Sequence, residues 1–231
     1  MAQFHFVEDY ERLVTRLCEQ HPIDEAMSLA VGGGYELIGQ IESNILVYAG
    51  LKNGMRLIDV GCGSGRLASA LTKAGAKVDY LGTDIVQKLL DYAILKSDPS
   101  YKFQLHRELS IPAANASADV ICAFSVFTHL LHHETYLYLE DMRRTLRPGG
   151  KLVFSFLELA EESHWSVFEA TVEAQRQEMA PHLNSFIERN AIKLWAKKLG
   201  FGDPIFISAT QGKGECPALG QSVAILETPN I

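Results

Sequence analysis

Leu57-Ile58-Asp59-Val60-Gly61-Cys62-Gly63-Ser64-Gly65-Arg66 leaves an apolar strand, passes through three alternating glycines and enters a segment of helical period. Glycine allows a sharp backbone turn and a close ligand approach, and a helix starting there offers unpaired N–H groups. Such a turn suits a nucleotide-like ligand; it also suits plain packing of a strand against a helix. Asp84 closes the next apolar run, 78–83, and lies 25 residues beyond Asp59. An acid at that strand end accepts hydrogen bonds from both ribose hydroxyls, or caps a helix starting at Ile85, and the two roles are compatible. Arg66 stands where the dinucleotide fingerprint wants a small residue, which counts against a pyrophosphate ligand.

Outward from this stretch, short apolar runs alternate with longer helical segments, as a parallel sheet covered by helices requires. Strands are expected at 56–60, 78–83, 101–106, 119–124 and 151–157. The helix 64–74 would be capped by Ser64 and stopped by Gly75, and helices 85–96 and 132–146 follow, the last broken by the turn Arg147-Pro148-Gly149-Gly150. Ile111-Pro112-Ala113-Ala114-Asn115 makes the link between the third and fourth strands mostly loop. Residues 163–179 read as a polar helix interrupted by Pro181, and 186–199 as a second, with Ile187, Ala191, Leu194 and Trp195 on one face and Gly200 ending it. The final strands, 204–209 and 221–227, are joined by a loop too short for a helical crossover, so they should pair antiparallel. Upstream, helices 6–20 and 35–49 flank Val31-Gly32-Gly33-Gly34.

These residues resemble the class I S-adenosylmethionine-dependent methyltransferases. Residues 57–66 are similar to that family's first motif, 80–85 to its second with the ribose-binding acid, 110–124 to its Leu-Pro-containing loop and fourth strand, and 142–154 to its helix-Arg-Pro-Gly-Gly-strand motif. The resemblance implies an α/β, doubly wound seven-stranded sheet of order 3-2-1-4-5-7-6, strand 7 antiparallel, with helices on both faces. It implies S-adenosyl-L-methionine as cofactor, its methionine part at Asp59, Gly61, Gly63 and Gly65, its ribose at Asp84 and its adenine beside Ile85. The adenine amino group would meet an acid near Arg107-Glu108, with Glu108 the candidate at an adjusted spacing, and Ser125 completes the cofactor set. One domain, 1–231, is expected, with an N-terminal helical segment (1–50) and a helical insertion (158–185), residues 1–34 and 158–185 lying outside the resemblance; Gly32–Gly34 with the first helices can fold over the cofactor, and His164, Trp165, Phe168, His182 and Asn184 can roof the acceptor pocket. Trp165 and Phe168 also fit plain core packing, and Tyr35 is a further candidate cofactor contact.

Methyl transfer from a sulfonium is an in-line displacement that needs no metal. Orientation supplies roughly 7–11 kcal/mol of barrier lowering, more than the roughly 3–5 kcal/mol of a general base. In Phe124-Ser125-Val126-Phe127-Thr128-His129-Leu130-Leu131-His132-His133-Glu134, at the sheet's carboxyl edge, His129 is the candidate base; its alternative is a structural imidazole bonded to a backbone carbonyl. His132, His133 and Glu134 read as a solvated helix start rather than metal ligands. No Asn-Pro-Pro-aromatic element follows the fourth strand, which disfavours amino-group methylation of nucleobases or glutamine, and Cys18, Cys62, Cys122 and Cys216 form no C-x-x-C pair and no Pro-Cys nucleophile.

With 21 Lys plus Arg against 28 Asp plus Glu in 231 residues, the net charge is −7, which argues against a broad nucleic-acid surface. The start lacks a basic n-region followed by an apolar stretch and no long apolar run occurs, so a cytoplasmic, non-membrane protein acting on a small-molecule acceptor is expected. Oxygen is the slightly favoured acceptor atom. The competing expectations are a cofactor-binding protein without catalysis and a nicotinamide-dependent oxidoreductase.

Overall fold

The computed structural model describes residues 7–177 and 183–230; Phe6, Met179, Pro181 and His182, which carry expectations above, lie outside the described residues. The chain divides into two compact units at Pro112/Ala113. Its strands form one seven-stranded sheet of order β3-β2-β1-β4-β5-β7-β6, the order that the family resemblance implies.

The first unit holds helices α1 (Val7–Gln20), α2 (Ile23–Ala30) and α3 (Tyr35–Ala49), then β1 (Arg56–Val60), α4 (Arg66–Lys73), β2 (Asp79–Asp84), α5 (Gln87–Lys96) and β3 (Lys102–Leu105). The three strands are parallel, with Asp59 opposite Gly82 and Val60 opposite Thr83, which brings Asp59 and Asp84 to neighbouring strand ends. Leu57, Ile58 and Tyr80 are fully buried, as a strand covered on both faces must be. Gly75 stops α4 as expected, with its φ at +67° and its N–H bonded to the Thr72 carbonyl. Ser64 does not cap that helix. It is buried beneath α2, its hydroxyl donates to the Met27 carbonyl at 2.9 Å, and Gly65 takes the cap position. Helix α2 had no counterpart in the expectation: it has eight residues, and Pro22 stands at its N-cap.

The second unit holds β4 (Ala118–Ala123), a 3₁₀ turn (Phe127–His129), α6 (His132–Thr145), β5 (Leu146–Phe156), α7 (Glu162–Arg176), α8 (Arg189–Leu199), β6 (Ile205–Ile207) and β7 (Ser222–Glu227). β4 and β5 are parallel, while β7 runs antiparallel to both β5 and β6. Arg147-Pro148-Gly149-Gly150 is not a free turn but the start of β5, tied down by Gly149 N–H to the Thr228 carbonyl and Thr228 N–H to the Gly150 carbonyl. Nor does a helix run from 186. Phe186 bridges Leu157 in parallel, Ile187 donates to the Leu157 carbonyl at 2.7 Å, and α8 begins only at Arg189. The buried stripe of α8 is Ile192 and Ala196, leaving Leu194 54% exposed. Among the described residues, no helix is long and apolar enough to cross a membrane.

Candidate functional site

The turn after β1 needs its glycines for two reasons. Gly61, Gly63 and Gly65 have φ of +68°, +55° and +81°, the left-handed region where a Cβ is costly. A Cβ at position 63 would also lie 2.6 Å from Val31 Cγ1, and one at position 65 would lie 2.6 Å from Ala93 Cβ. Gly65 therefore serves helix packing as well as the turn.

Asp84 meets this turn directly. Its Oδ2 accepts the Gly63 N–H and its Oδ1 the Val86 N–H, both at 2.9 Å, while the residue is only 8% exposed. The bond to Val86 is an Asx-type contact two residues on; the helix starts later, at Gln87, so Asp84 is not its N-cap. Burial raises the Asp84 pKa above the ordinary value, against the opposing backbone N–H groups of Val86, Gly63 and Ile85. Asp59, also buried, accepts from the Tyr80 hydroxyl at 2.6 Å. Between the two acids, the Cys62 thiol is pushed well up by burial and then by the charges of Asp59 and Asp84, so it is no nucleophile.

Arg66 is fully engaged elsewhere. Its Nε donates to Glu42 Oε1 at 2.8 Å and a terminal nitrogen donates to the Val31 carbonyl at 2.6 Å. Glu42 is buried, which raises its pKa, and Arg66 opposes the shift. The Tyr35 hydroxyl donates to the Ser64 carbonyl at 2.9 Å, bracing the turn from α3. Ile85 packs against the apolar cluster of Val14, Met27, Val86, Leu89 and Tyr92. Arg107 Nε donates to the Ile85 carbonyl at 3.0 Å, and Glu108 follows it, half-buried. The first unit thus gathers Asp59, the three glycines, Asp84 and Ile85.

Ser125 and His129 belong to the second unit. Ser125 is strained, with φ at +57°. Its N–H donates to Ser155 Oγ at 2.7 Å, and both hydroxyls donate to Gln221 Oε1, at 2.6 Å from Ser155 and 3.3 Å from Ser125. His129 Nδ1 lies 2.9 Å from the Leu183 carbonyl, which can only accept, so Nδ1 carries the hydrogen. Glu134 Oε2 accepts the Leu131 N–H at 2.8 Å, a capping bond, and the His132 ring bonds the Phe186 carbonyl. Among the described residues, no three His, Cys, Asp or Glu side chains group as metal ligands. His164 is buried, held by the Glu158 N–H and the Gly220 carbonyl, and Trp165, 42% exposed, packs on Phe168 with ring centroids 5.1 Å apart and planes tilted by 39°. Glu158, with Arg189 paired to it at 2.8 Å, is a buried charge that the sequence pattern did not single out.

A family model described as a methyltransferase domain matches residues 35–203. The chain belongs to that methyltransferase family. It is 31% identical over 140 residues to a demethylmenaquinone methyltransferase of Deinococcus radiodurans, covering 59% of this chain and 56% of the relative. A ubiquinone biosynthesis O-methyltransferase of Cereibacter sphaeroides is 32% identical over 109 residues, 45% of this chain and 42% of that one. The matches span about half the length of these curated relatives. The crystal structure of magnesium protoporphyrin IX methyltransferase from Synechocystis with bound S-adenosylhomocysteine superposes with a TM-score of 0.65 at 15% identity, covering 97% of this chain and 96% of that one, a likeness of fold. The candidate residues of the first unit fit S-adenosylmethionine, the cofactor expected from the sequence. Two buried carboxylates flank a turn of left-handed glycines, an arrangement suited to a cation and to sugar hydroxyls, while the one arginine on the turn is already paired.

Proposed function

We propose that this chain transfers the methyl group of S-adenosylmethionine to a small-molecule acceptor, oxygen being the favoured atom, by in-line displacement. One observation carries the reading: Asp84 is held at the glycine turn with each carboxylate oxygen oriented by a backbone N–H, which leaves further lone pairs for hydroxyl donors. Bound there, the cofactor supplies an electrophilic methyl on a sulfonium. Asp84 accepts from the ribose hydroxyls, Gly61 to Gly65 let the backbone lie against the methionine portion, Asp59 balances the positive charge, and Ile85 offers an apolar face to the adenine. Glu108 and Ser125 are the remaining cofactor candidates. His129, with its hydrogen on Nδ1, has Nε2 as the proton-accepting nitrogen in the neutral ring. It would take the proton of an acceptor hydroxyl whose oxygen receives the methyl group that the bound cofactor would supply.

A dinucleotide ligand would bring a pyrophosphate to a turn lined by two carboxylates whose arginine is spent on Glu42, which speaks for the sulfonium compound instead. The names of the relatives, which include an O-methyltransferase, support oxygen. Calorimetry with S-adenosylhomocysteine tests the cofactor: the wild-type chain binds it and not reduced nicotinamide dinucleotide, and Asp84→Ala loses about 2–3 kcal/mol of affinity, the range of hydrogen bonds to a charged group. Unchanged affinity removes Asp84 from the site. For His129→Ala, a fall in turnover across a catechol and hydroxyquinone panel with unchanged S-adenosylhomocysteine affinity supports the base. Equal loss of both makes the imidazole structural.

A further inference from the structure

Three polar side chains of the second unit meet at the carboxyl ends of β4 and β5. Ser125 follows β4 by two residues, Ser155 is the penultimate residue of β5, and Gln221 immediately precedes β7, whose Ser222 lies opposite Phe156. Open α/β sheets hold their ligands at this edge.

The bonding fixes which way the Gln221 carboxamide faces. Ser155 is fully buried and its Oγ already accepts the Ser125 N–H at 2.7 Å, so its own hydrogen needs an acceptor. Gln221 Oε1, 2.6 Å away, takes it, and accepts a longer bond of 3.3 Å from the Ser125 hydroxyl. The backbone on either side is tied down as well. The Gly220 N–H donates to the Ala209 carbonyl at 2.9 Å, the Gly220 carbonyl accepts from His164 Nε2 at 3.3 Å, and the Ser222 hydroxyl donates to Glu158, itself clamped by Arg189. With Oε1 engaged, Nε2 and its two hydrogens lie on the other side of the amide. Among the described residues Nε2 has no hydrogen-bond partner, and Gln221 is partly exposed.

A held amide with two unused N–H groups is a receptor for oxygen. Nε2 only donates, so it matches a carbonyl or carboxylate oxygen, which only accepts and carries two lone pairs. Because the side chain is ordered beforehand, the ligand gains the bond without the entropy cost of fixing it. The loop that opens at Ser125 also carries His129, the base given above to the acceptor hydroxyl. We infer that Gln221 sets acceptor specificity: its Nε2 donates to a carbonyl or carboxylate oxygen of the methyl acceptor, whose class is therefore a hydroxy compound bearing such a group. The inference rests on the methyltransferase reading above and names its substrate class.

Methyl transfer to matched phenols tests it, with hydroxyacetophenone, hydroxybenzoate and ethylphenol as probes, each as ortho, meta and para isomers. In at least one isomer the wild type prefers hydroxyacetophenone over ethylphenol in kcat/KM by roughly three- to tenfold, or hydroxybenzoate by roughly ten- to a hundredfold, the spans of a neutral and a charged hydrogen bond. Whichever probe is preferred tells carbonyl from carboxylate. Gln221→Glu keeps an oxygen for the Ser155 and Ser125 hydroxyls and removes both N–H donors. In that variant the preference disappears, chiefly through KM, while ethylphenol turnover, S-adenosylhomocysteine affinity and the melting midpoint stay at wild-type values. A preference that survives in Gln221→Glu overturns the inference, as does a wild type that favours neither oxygenated probe or methylates none of the three. Loss of ethylphenol turnover to the same extent overturns it too, by making Gln221 structural. Should Gln221→Glu fail to fold, Gln221→Asn, which withdraws the amide by one methylene, decides by the same ratio. Failure of the wild type to bind S-adenosylhomocysteine in calorimetry removes the cofactor reading instead, an outcome distinct from binding without acceptor preference.

Discussion

Asp84 links burial to a pH dependence of opposite sign for the free protein and for the complex. Burial raises its pKa above 3.8 in the folded chain. For the free protein, a raised carboxyl pKa gives stability that is fully present below 3.8 and lost as pH rises through the folded value. For the complex, ribose hydroxyls need the ionised acceptor, so affinity is present above the folded pKa and lost as pH falls through it. S-adenosylhomocysteine affinity, measured by calorimetry on an acidic series, therefore declines at a higher pH than an ordinary aspartate would dictate, and Asp84→Asn flattens that decline. Gly63 gives a second test at this scale. Its φ of +55° and the 2.6 Å approach of Val31 both resist a side chain. Gly63→Ala should cost about 1–2 kcal/mol for the torsion alone, with the contact in addition. Adding Val31→Ala relieves only the contact, so denaturant melts of the two variants separate the terms. The glycines and Asp84 were legible because backbone chemistry restricts which residues can stand there. The bracing by Val31, Tyr35 and Tyr80 was not, since any large side chain arriving from a distant element can fill such a place.

At the scale of elements, the join of α3 to α4 depends on a charge pair hidden from sequence patterning. Glu42 and Arg66 are 1% exposed as a residue and 11% exposed as a side chain respectively, with the pair closed at 2.6 Å. They stand twenty-four positions apart, and only Arg66 was singled out in the sequence, as a residue that does not fit a dinucleotide fingerprint. Glu42→Leu should cost about 3–5 kcal/mol, the usual result of leaving one buried partner unpaired. Arg66→Met added to it recovers most of that loss, as the midpoints of urea melts would show; a double variant as unstable as the single assigns Arg66 to the Val31 carbonyl instead. Elsewhere the errors share a cause. Residues 186–188 have helical spacing, yet the hydrogen bond from Ile187 to Leu157 holds them extended, and Arg147–Gly150 has turn composition, yet Thr228 pairs it into β5. Tertiary bonds overrode local preference in both places.

In the whole molecule, alternation and loop length displayed a parallel sheet with an antiparallel last pair, while the order of the strands came from the resemblance to the methyltransferases. The placement of α1 and α2 depends on particular side chains meeting α5 and the glycine turn, and no periodicity encodes that. The residues assigned to the cofactor concentrate in the unit Met1–Pro112, with Asp59, the turn, Asp84 and Ile85 all there. Ligand stabilisation should therefore be strong and local in origin. At a hundredfold excess over Kd, S-adenosylhomocysteine contributes about 2.7 kcal/mol. For a chain of this length each kcal/mol moves the melting temperature by about 2–4 °C, so a rise of roughly 5–11 °C is expected. Hydrogen exchange locates its origin: peptides covering 57–66 and 80–90 gain protection first, since the donors and acceptors given to the ligand lie within them. A melting shift without added protection in those two peptides would place the ligand elsewhere on the chain and detach Asp84 from the sugar.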